Sequence, residues 1–222
     1  MGAWDVAKPY IAIGIPHPGV FPSEFVDRAY TAFKVTSPHF SKDIFLSRGS
    51  PVDRMRHNIA VGALQKPDIT HILWWDSDMV AEQHGNPMVA RDPNEVIKEL
   101  LDADVPIISG VYRAKKKEGF CYCMFLKQGD GDEIKLSPVT GWTSRIITVD
   151  VVGMGCCLVK REVFEKVPQP WFWWDRFSED FNFCLKAAKY GFPTQVLTTA
   201  VFSHIEGNFK ILSDGRIVTC EV

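Results

Sequence analysis

Short, nearly unbroken apolar runs alternate along the first half of the chain with longer segments in which apolar residues recur every three or four positions. The first run, YIAIGI at Tyr10 to Ile15, closes on Pro16, His17, Pro18 and Gly19, which predicts a buried strand running into a loop. A helix is predicted from about Ser23 to Phe33, and DIFLS at Asp43 to Ser47 reads as a second strand. Ser50 and Pro51 supply an N-cap and a first-turn proline for a helix with Met55, Ile59 and Ala63 on one face. HILWW, His71 to Trp75, is the third strand; Asp92 and Pro93 repeat the cap signal before NEVIKELL, and VPIISGVY gives a fourth strand bounded by Pro106 and Gly110. This βαβαβαβ order predicts a parallel, layered α/β sheet.

The pattern then changes. GFCYCMFLKQGDGDEIKLS predicts two strands around a GDGD turn, and RIITVDVV and CCLVK are further strands, so antiparallel pairs extend the sheet. Ser178 precedes a helix that continues to about Tyr190 and stops at Gly191 and Pro193, and TQVLTT and AVFSH are the last two strands. With no repeat, low-complexity tract or linker in view, one domain is expected over residues 1–222, its halves meeting near residues 111 and 112.

Composition narrows the function. A chain of 222 residues that is 46% hydrophobic can bury one sizeable core. Lys and Arg number 25 against 27 Asp and Glu, which leaves no field to hold nucleic acid or an anionic membrane. The six cysteines form no CxxC pair and are expected to be reduced and mostly buried. No run reaches the roughly 18 to 20 apolar residues of a membrane span, and no basic segment leads a long apolar one. The expectation is a soluble, cytoplasmic protein without stable membrane insertion; Gly2 is a weak myristoylation signal, because Val6 stands where Ser or Thr belongs.

Chemistry concentrates at a few places. HILWW ends on Asp76, Ser77 and Asp78, at the carboxyl end of a strand, where ligands of open α/β sheets bind. Two carboxylates at this spacing repel unless a divalent cation sits between them, although Asp and Ser also favour simple turns. Glu179 and Asp180 fall in a helix first turn, where the macrodipole favours negative charge; this can ready a base or merely stabilise the helix. Trp171, Phe172, Trp173 and Trp174 divide between core and a platform for a sugar ring. His204 follows a strand-like segment near the end of the chain. Gly153 and Gly155 precede a strand, where bare backbone admits a substrate or a tight bend. Arg54, Arg56 and Asn58 on the second helix, and Lys115 to Lys117 in a loop, reach either phosphate or solvent.

In this order, IGIPHPG, MRHNIAVGAL, HILWWDSDM, VVGMGCCLVKREVFEKV, FSEDFNFCLKAAKYG and SHIEGN resemble the GT-A glycosyltransferases, above all the family 2 type, over nearly the whole chain. The resemblance implies a GT-A fold, a mixed α/β sheet flanked by helices. It implies transfer of a sugar from a UDP- or GDP-sugar to an acceptor hydroxyl of a glycan or small compound, with Mn²⁺ or Mg²⁺. Asp78 and His204 would be metal ligands, with Asp76 near the metal or the ribose. Asp180 would be the general base of an inverting reaction and Glu179 would position the acceptor. Pro16, Arg56, Ser77, Gly153 and Gly155 would line the donor site, and Trp173 and Trp174 the acceptor site. Two departures are LSRGS, where the family often has an acid, and Arg56-His57-Asn58 in place of an Arg-Asn pair. A retaining reaction and a catalytically silent carbohydrate-binding or structural protein are the alternatives. A haloacid-dehalogenase-type phosphotransferase fits less well, since its DxD lies on the first strand, and a nucleotidyltransferase lacks its glycine-rich first loop here.

Overall fold

The apolar runs become strands in the computed structural model, which describes residues 8–49, 51–116 and 119–220; Gly2, Ser50 and Lys117 lie outside them. In chain order the elements are β1 (Tyr10–His17), α1 (Ser23–Phe25) joined through a π-helical turn (Val26–Tyr30) to α2 (Thr31–Phe33), β2 (Ser41–Arg48), α3 (Val52–Leu64), β3 (His71–Trp75), β4 (Met79–Gln83), β5 (Asn86–Ala90), α4 (Pro93–Asp102) and β6 (Ile107–Val111). There follow β7 (Arg113–Lys116), β8 (Gly119–Tyr122), β9 (Met124–Gln128), β10 (Lys135–Pro138), β11 (Ile146–Val149), β12 (Val151–Val152), β13 (Cys156–Lys160), α5 (Arg161–Lys166), α6 (Glu179–Lys189), β14 (Thr194–Glu206), β15 (Phe209–Ile211) and β16 (Ile217–Thr219).

The main sheet runs β16-β15-β14-β6-β13-β3-β1-β2, with β11 and β4 also on β14, and β5 on β4. β1 is parallel to β2 and β3. The parallel sheet expected from the first half is corrected at its centre: β13, the CCLVK strand, lies between β3 and β6 and is antiparallel to both. A strand buried on both faces is apolar throughout whichever way it runs, so its direction left no mark on the sequence. The two strands expected from TQVLTT and AVFSH are one, β14. Its pairing with β6 shifts register between Val196 and Val201, so one continuous strand serves two sets of neighbours.

Side chains alternate across this sheet. Along β3, Ile72 and Trp74 enter one core cluster, while Leu73 and Trp75 enter the other, as the two-residue period requires. Ile59 and Ala63 of α3 with Phe183 of α6 cover the first face; Phe25, Phe33 and the α4 residues Val96, Ile97 and Leu100 cover the second. The result is a mixed α/β sheet between helical layers. α3 crosses β1 at Gly14, where a Cβ would stand 2.7 Å from Ile59 Cγ2 and 2.9 Å from the Trp74 ring. All six cysteines are free, with Cys156, Cys157 and Cys184 buried. Among the described residues no helix is long and apolar enough to cross a membrane.

Candidate functional site

The turn after β3 is fixed by its backbone. Asp76 N–H donates to the Gly155 carbonyl at 2.9 Å, extending the β3–β13 ladder by one step, and Met79 N–H closes the turn onto the Asp76 carbonyl at 3.1 Å. Ser77 is buried. β4 then pairs with the far half of β14 and sets Met79 opposite His204, while Ile205 N–H donates to the Asp78 carbonyl at 2.8 Å. This register brings His204 Nε2 to 3.3 Å from Asp78 Oδ2 across 126 positions of sequence. Glu206 Oε1 lies 3.7 Å from His204 Nδ1. Burial works to lower the His204 pKa, but the hydrogen bond to Asp78 and the charges of Asp78, Glu206 and Asp76 outweigh it and hold the value raised. The surroundings favour positive charge at this point.

Behind the turn, Arg56 is 2% exposed. Its Nη2 donates to Asp76 Oδ2 at 2.9 Å and its Nε to Glu179 Oε1 at 3.1 Å. Burial disfavours the guanidinium charge, and the two carboxylates more than restore it. Burial raises the Asp76 pKa, opposed by Arg56 and reinforced by Asp78; the same balance, with Asp180 as the repelling neighbour, raises that of Glu179. Asp76 Oδ1 and Arg56 Nη1 are buried without a hydrogen-bond partner. Arg56 therefore points into the interior and links the DSD turn to α6, while Arg54 and Asn58 are exposed.

At the start of α6, Asp180 accepts from the Ser178 hydroxyl, from Phe181 N–H at 2.8 Å and from Met154 N–H at 3.4 Å. The VGMG segment thus touches both acid motifs, through Gly155 and Met154. The space beside its glycines belongs to Tyr112. A Cβ on Gly153 would stand 2.0 Å from the Tyr112 hydroxyl and one on Gly155 3.0 Å from its ring. Tyr112 is 8% exposed, its hydroxyl accepts from Gly155 N–H at 3.3 Å, and its ring lies edge-on to His204 with centroids 5.9 Å apart. Sequence reasoning passed over this tyrosine, whose one signal was its place just beyond a buried strand. Pro16 is buried near the end of β1, opposite Ser47. Trp171 and Phe172 are core, Trp173 is half-buried and Trp174 is 55% exposed.

Among the described residues no group of three or more His, Cys, Asp and Glu side chains is arranged to hold a metal ion. The Asp78–His204 pair does fit two neighbouring positions around one cation, because ligands about 2.1 Å from a small divalent ion stand about 3 Å apart.

No family model and no curated protein matches the chain in sequence. Solved structures do match. The viral protein A197 from STIV superposes with a TM-score of 0.64 at 18% identity, over 97% of this chain and 95% of that one. GalNAc-T7, crystallised with UDP, GalNAc and Mn2+, superposes with a TM-score of 0.54 at 14% identity, over 91% of this chain and 44% of that one. The chain has a GT-A-like fold. It spans less than half of the GalNAc-T7 chain. A looser match is apo UDP-glucose pyrophosphorylase, with a TM-score of 0.46 at 6% identity over 89% of this chain and 93% of that one. In this GT-A-like frame, the VGMG segment joins the DSD turn, through Gly155 and Asp76, to the first turn of α6, through Met154 and Asp180.

Proposed function

We propose that the chain is a metal-dependent glycosyltransferase that moves a sugar from a UDP- or GDP-sugar to an acceptor hydroxyl. The observation that carries this reading is the meeting of Asp78 and His204 at 3.3 Å, beside a buried Arg56 that ties Asp76 to the acid pair on α6. Asp78 and His204 would hold Mn²⁺ or Mg²⁺, which when bound neutralises charge on the departing nucleoside diphosphate.

The chain's own groups do the rest. Asp76 stands at the donor side of the turn, and Arg56 fixes its orientation. Glu179 faces Arg56 in the interior, so it acts by holding that guanidinium in place. Asp180, in the first turn of α6, is the base: as the acceptor oxygen bonds to the anomeric carbon, the carbon–oxygen bond to the diphosphate breaks and the hydroxyl proton passes to Asp180. A single displacement of this kind inverts the anomeric centre. Trp173 and Trp174 lie on the acceptor side.

One observation favours a second reading, a silent carbohydrate-binding protein: both Asp180 oxygens already accept from protein groups. Calorimetric titration with UDP- and GDP-sugars, with and without Mn²⁺, tests the main proposal. Donor binding is expected to need the metal and to vanish in Asp78→Ala, while Asp180→Asn keeps donor binding and loses turnover. Metal-independent binding that Asp78→Ala leaves untouched overturns it, and unchanged turnover in Asp180→Asn removes the base from the mechanism.

A further inference from the structure

A cavity of about 870 Å³ lies along α6, walled by the β9–β10 turn (Lys127, Asp130), the loop before α6 (Trp173, Phe177) and α6 itself (Asn182, Lys189). Asp180 is not in its wall. At 3.6 residues per turn, Asn182 lies about 200° round the helix from Asp180, and Asp180 faces Met154 instead. The Asn182 amide donates to the carbonyls of Trp173 and Phe177, each at 2.9 Å, and so pins the loop that forms the wall.

The lining chemistry selects the ligand. Three of its four cations are engaged with the protein: Lys127 pairs with Asp130 at 2.6 Å, Arg176 donates to the Ile134 carbonyl at 2.7 Å, and Lys186 donates to the Pro170 carbonyl at 2.9 Å while lying 5.3 Å over the Trp173 ring; the fourth, Lys189, is exposed. Asp130, Asp150 and Asp175 set three negative charges against these four positive ones, so the lining is close to balanced and lacks the cluster of free cations that a polyanion would need. What it offers is aromatic surface from Trp173, Phe177 and Tyr190 beside carboxylate and amide groups. That combination suits a neutral polyhydroxylated ring, with apolar C–H faces against the aromatics and hydroxyls donating to the acids. The volume is near the top of the roughly 300 to 1,000 Å³ range of small-molecule sites, room for an oligosaccharide segment rather than a single ring.

We propose that this cleft is a second carbohydrate-binding site, gripping part of an acceptor oligosaccharide away from the hydroxyl that reacts. Its acceptor role rests on the glycosyltransferase reading; the binding itself does not. The test is titration of the protein with gluco-, manno-, galacto- and chito-oligosaccharides, following the indole N–H signals of its seven tryptophans, with the Trp173 signal assigned from Trp173→Phe. One series is expected to shift the Trp173 signal saturably, its monosaccharide binding at least about tenfold more weakly. Tyr190→Ala, at a half-exposed rim position, is expected to weaken binding about tenfold or more, and Asp78→Ala to leave it unchanged. Lost donor binding with intact oligosaccharide binding would sink the enzymatic reading and spare the cleft. A Trp173 signal unmoved by every series, moved as strongly by inorganic phosphate, or moved equally in Tyr190→Ala overturns the cleft.

Discussion

Arg56 holds its single charge between two carboxylates in the protein interior, and removing it strands both. Arg56→Met is expected to cost about 3 to 5 kcal/mol in denaturant unfolding, and Arg56→Lys to recover only part of that, since an ammonium lacks the planar fork that serves two acceptors at once. A loss near zero would mean that the network is not built as described. The contact between Gly153 and Tyr112 makes a second test. Gly153→Ala drives a methyl toward the Tyr112 hydroxyl and should cost about 1 to 3 kcal/mol. In Tyr112→Phe, where that oxygen is gone, the same change should cost clearly less; strict additivity of the two would exclude the clash. At this scale the acids and His204 stood out in the sequence by residue type alone. The burial of Arg56 did not, although it shares a helix face with Ile59, Ala60 and Ala63, and a charged residue on an apolar stripe is itself a sign of an internal partner.

Local signals marked some elements closely and others not at all. α4 begins at Pro93 with Asp92 as its cap, the Asp92 carboxylate accepting from Asn94 N–H at 2.9 Å, as the Asp-Pro pair announces. Asp92→Ala should therefore lower stability by about 1 kcal/mol, and Asp92→Asn by much less; equal losses on thermal unfolding would show that capping is not the cause. The β4–β5 hairpin went unread, though Gly85, with φ of +79°, separates MVAEQ from NPMVA in the way a tight turn demands. The place of β13 was hidden for a different reason. Pairing between distant strands is decided by which apolar faces complete the core, and the local pattern of CCLVK is the same in any slot of a sheet covered on both sides.

For the molecule as a whole, stability should carry a signature of His71, the first residue of β3. Burial, with Lys160 adding to it, lowers its pKa from 6.5 to about 4. The unfolded chain takes up a proton near pH 6.5 while the folded one does not, so stability from the neutral ring is present above that pH and drains away as pH falls toward 4. At 1.36 kcal/mol per unit the ceiling is about 3 kcal/mol, lessened by the partial exposure of the ring. From pH 7 to pH 4 the unfolding free energy of the wild type should fall relative to that of His71→Gln by up to that ceiling; curves that stay parallel would remove His71 from the account. The architecture also sets an order of events. Asp78 waits on a partner 126 positions downstream, supplied by the long strand β14 near the end of the sheet's chain order. On the ribosome, therefore, a growing chain has its DSD turn, its Arg56 and both α6 acids before His204 is added, and the Asp78–His204 contact is among the last of these to form.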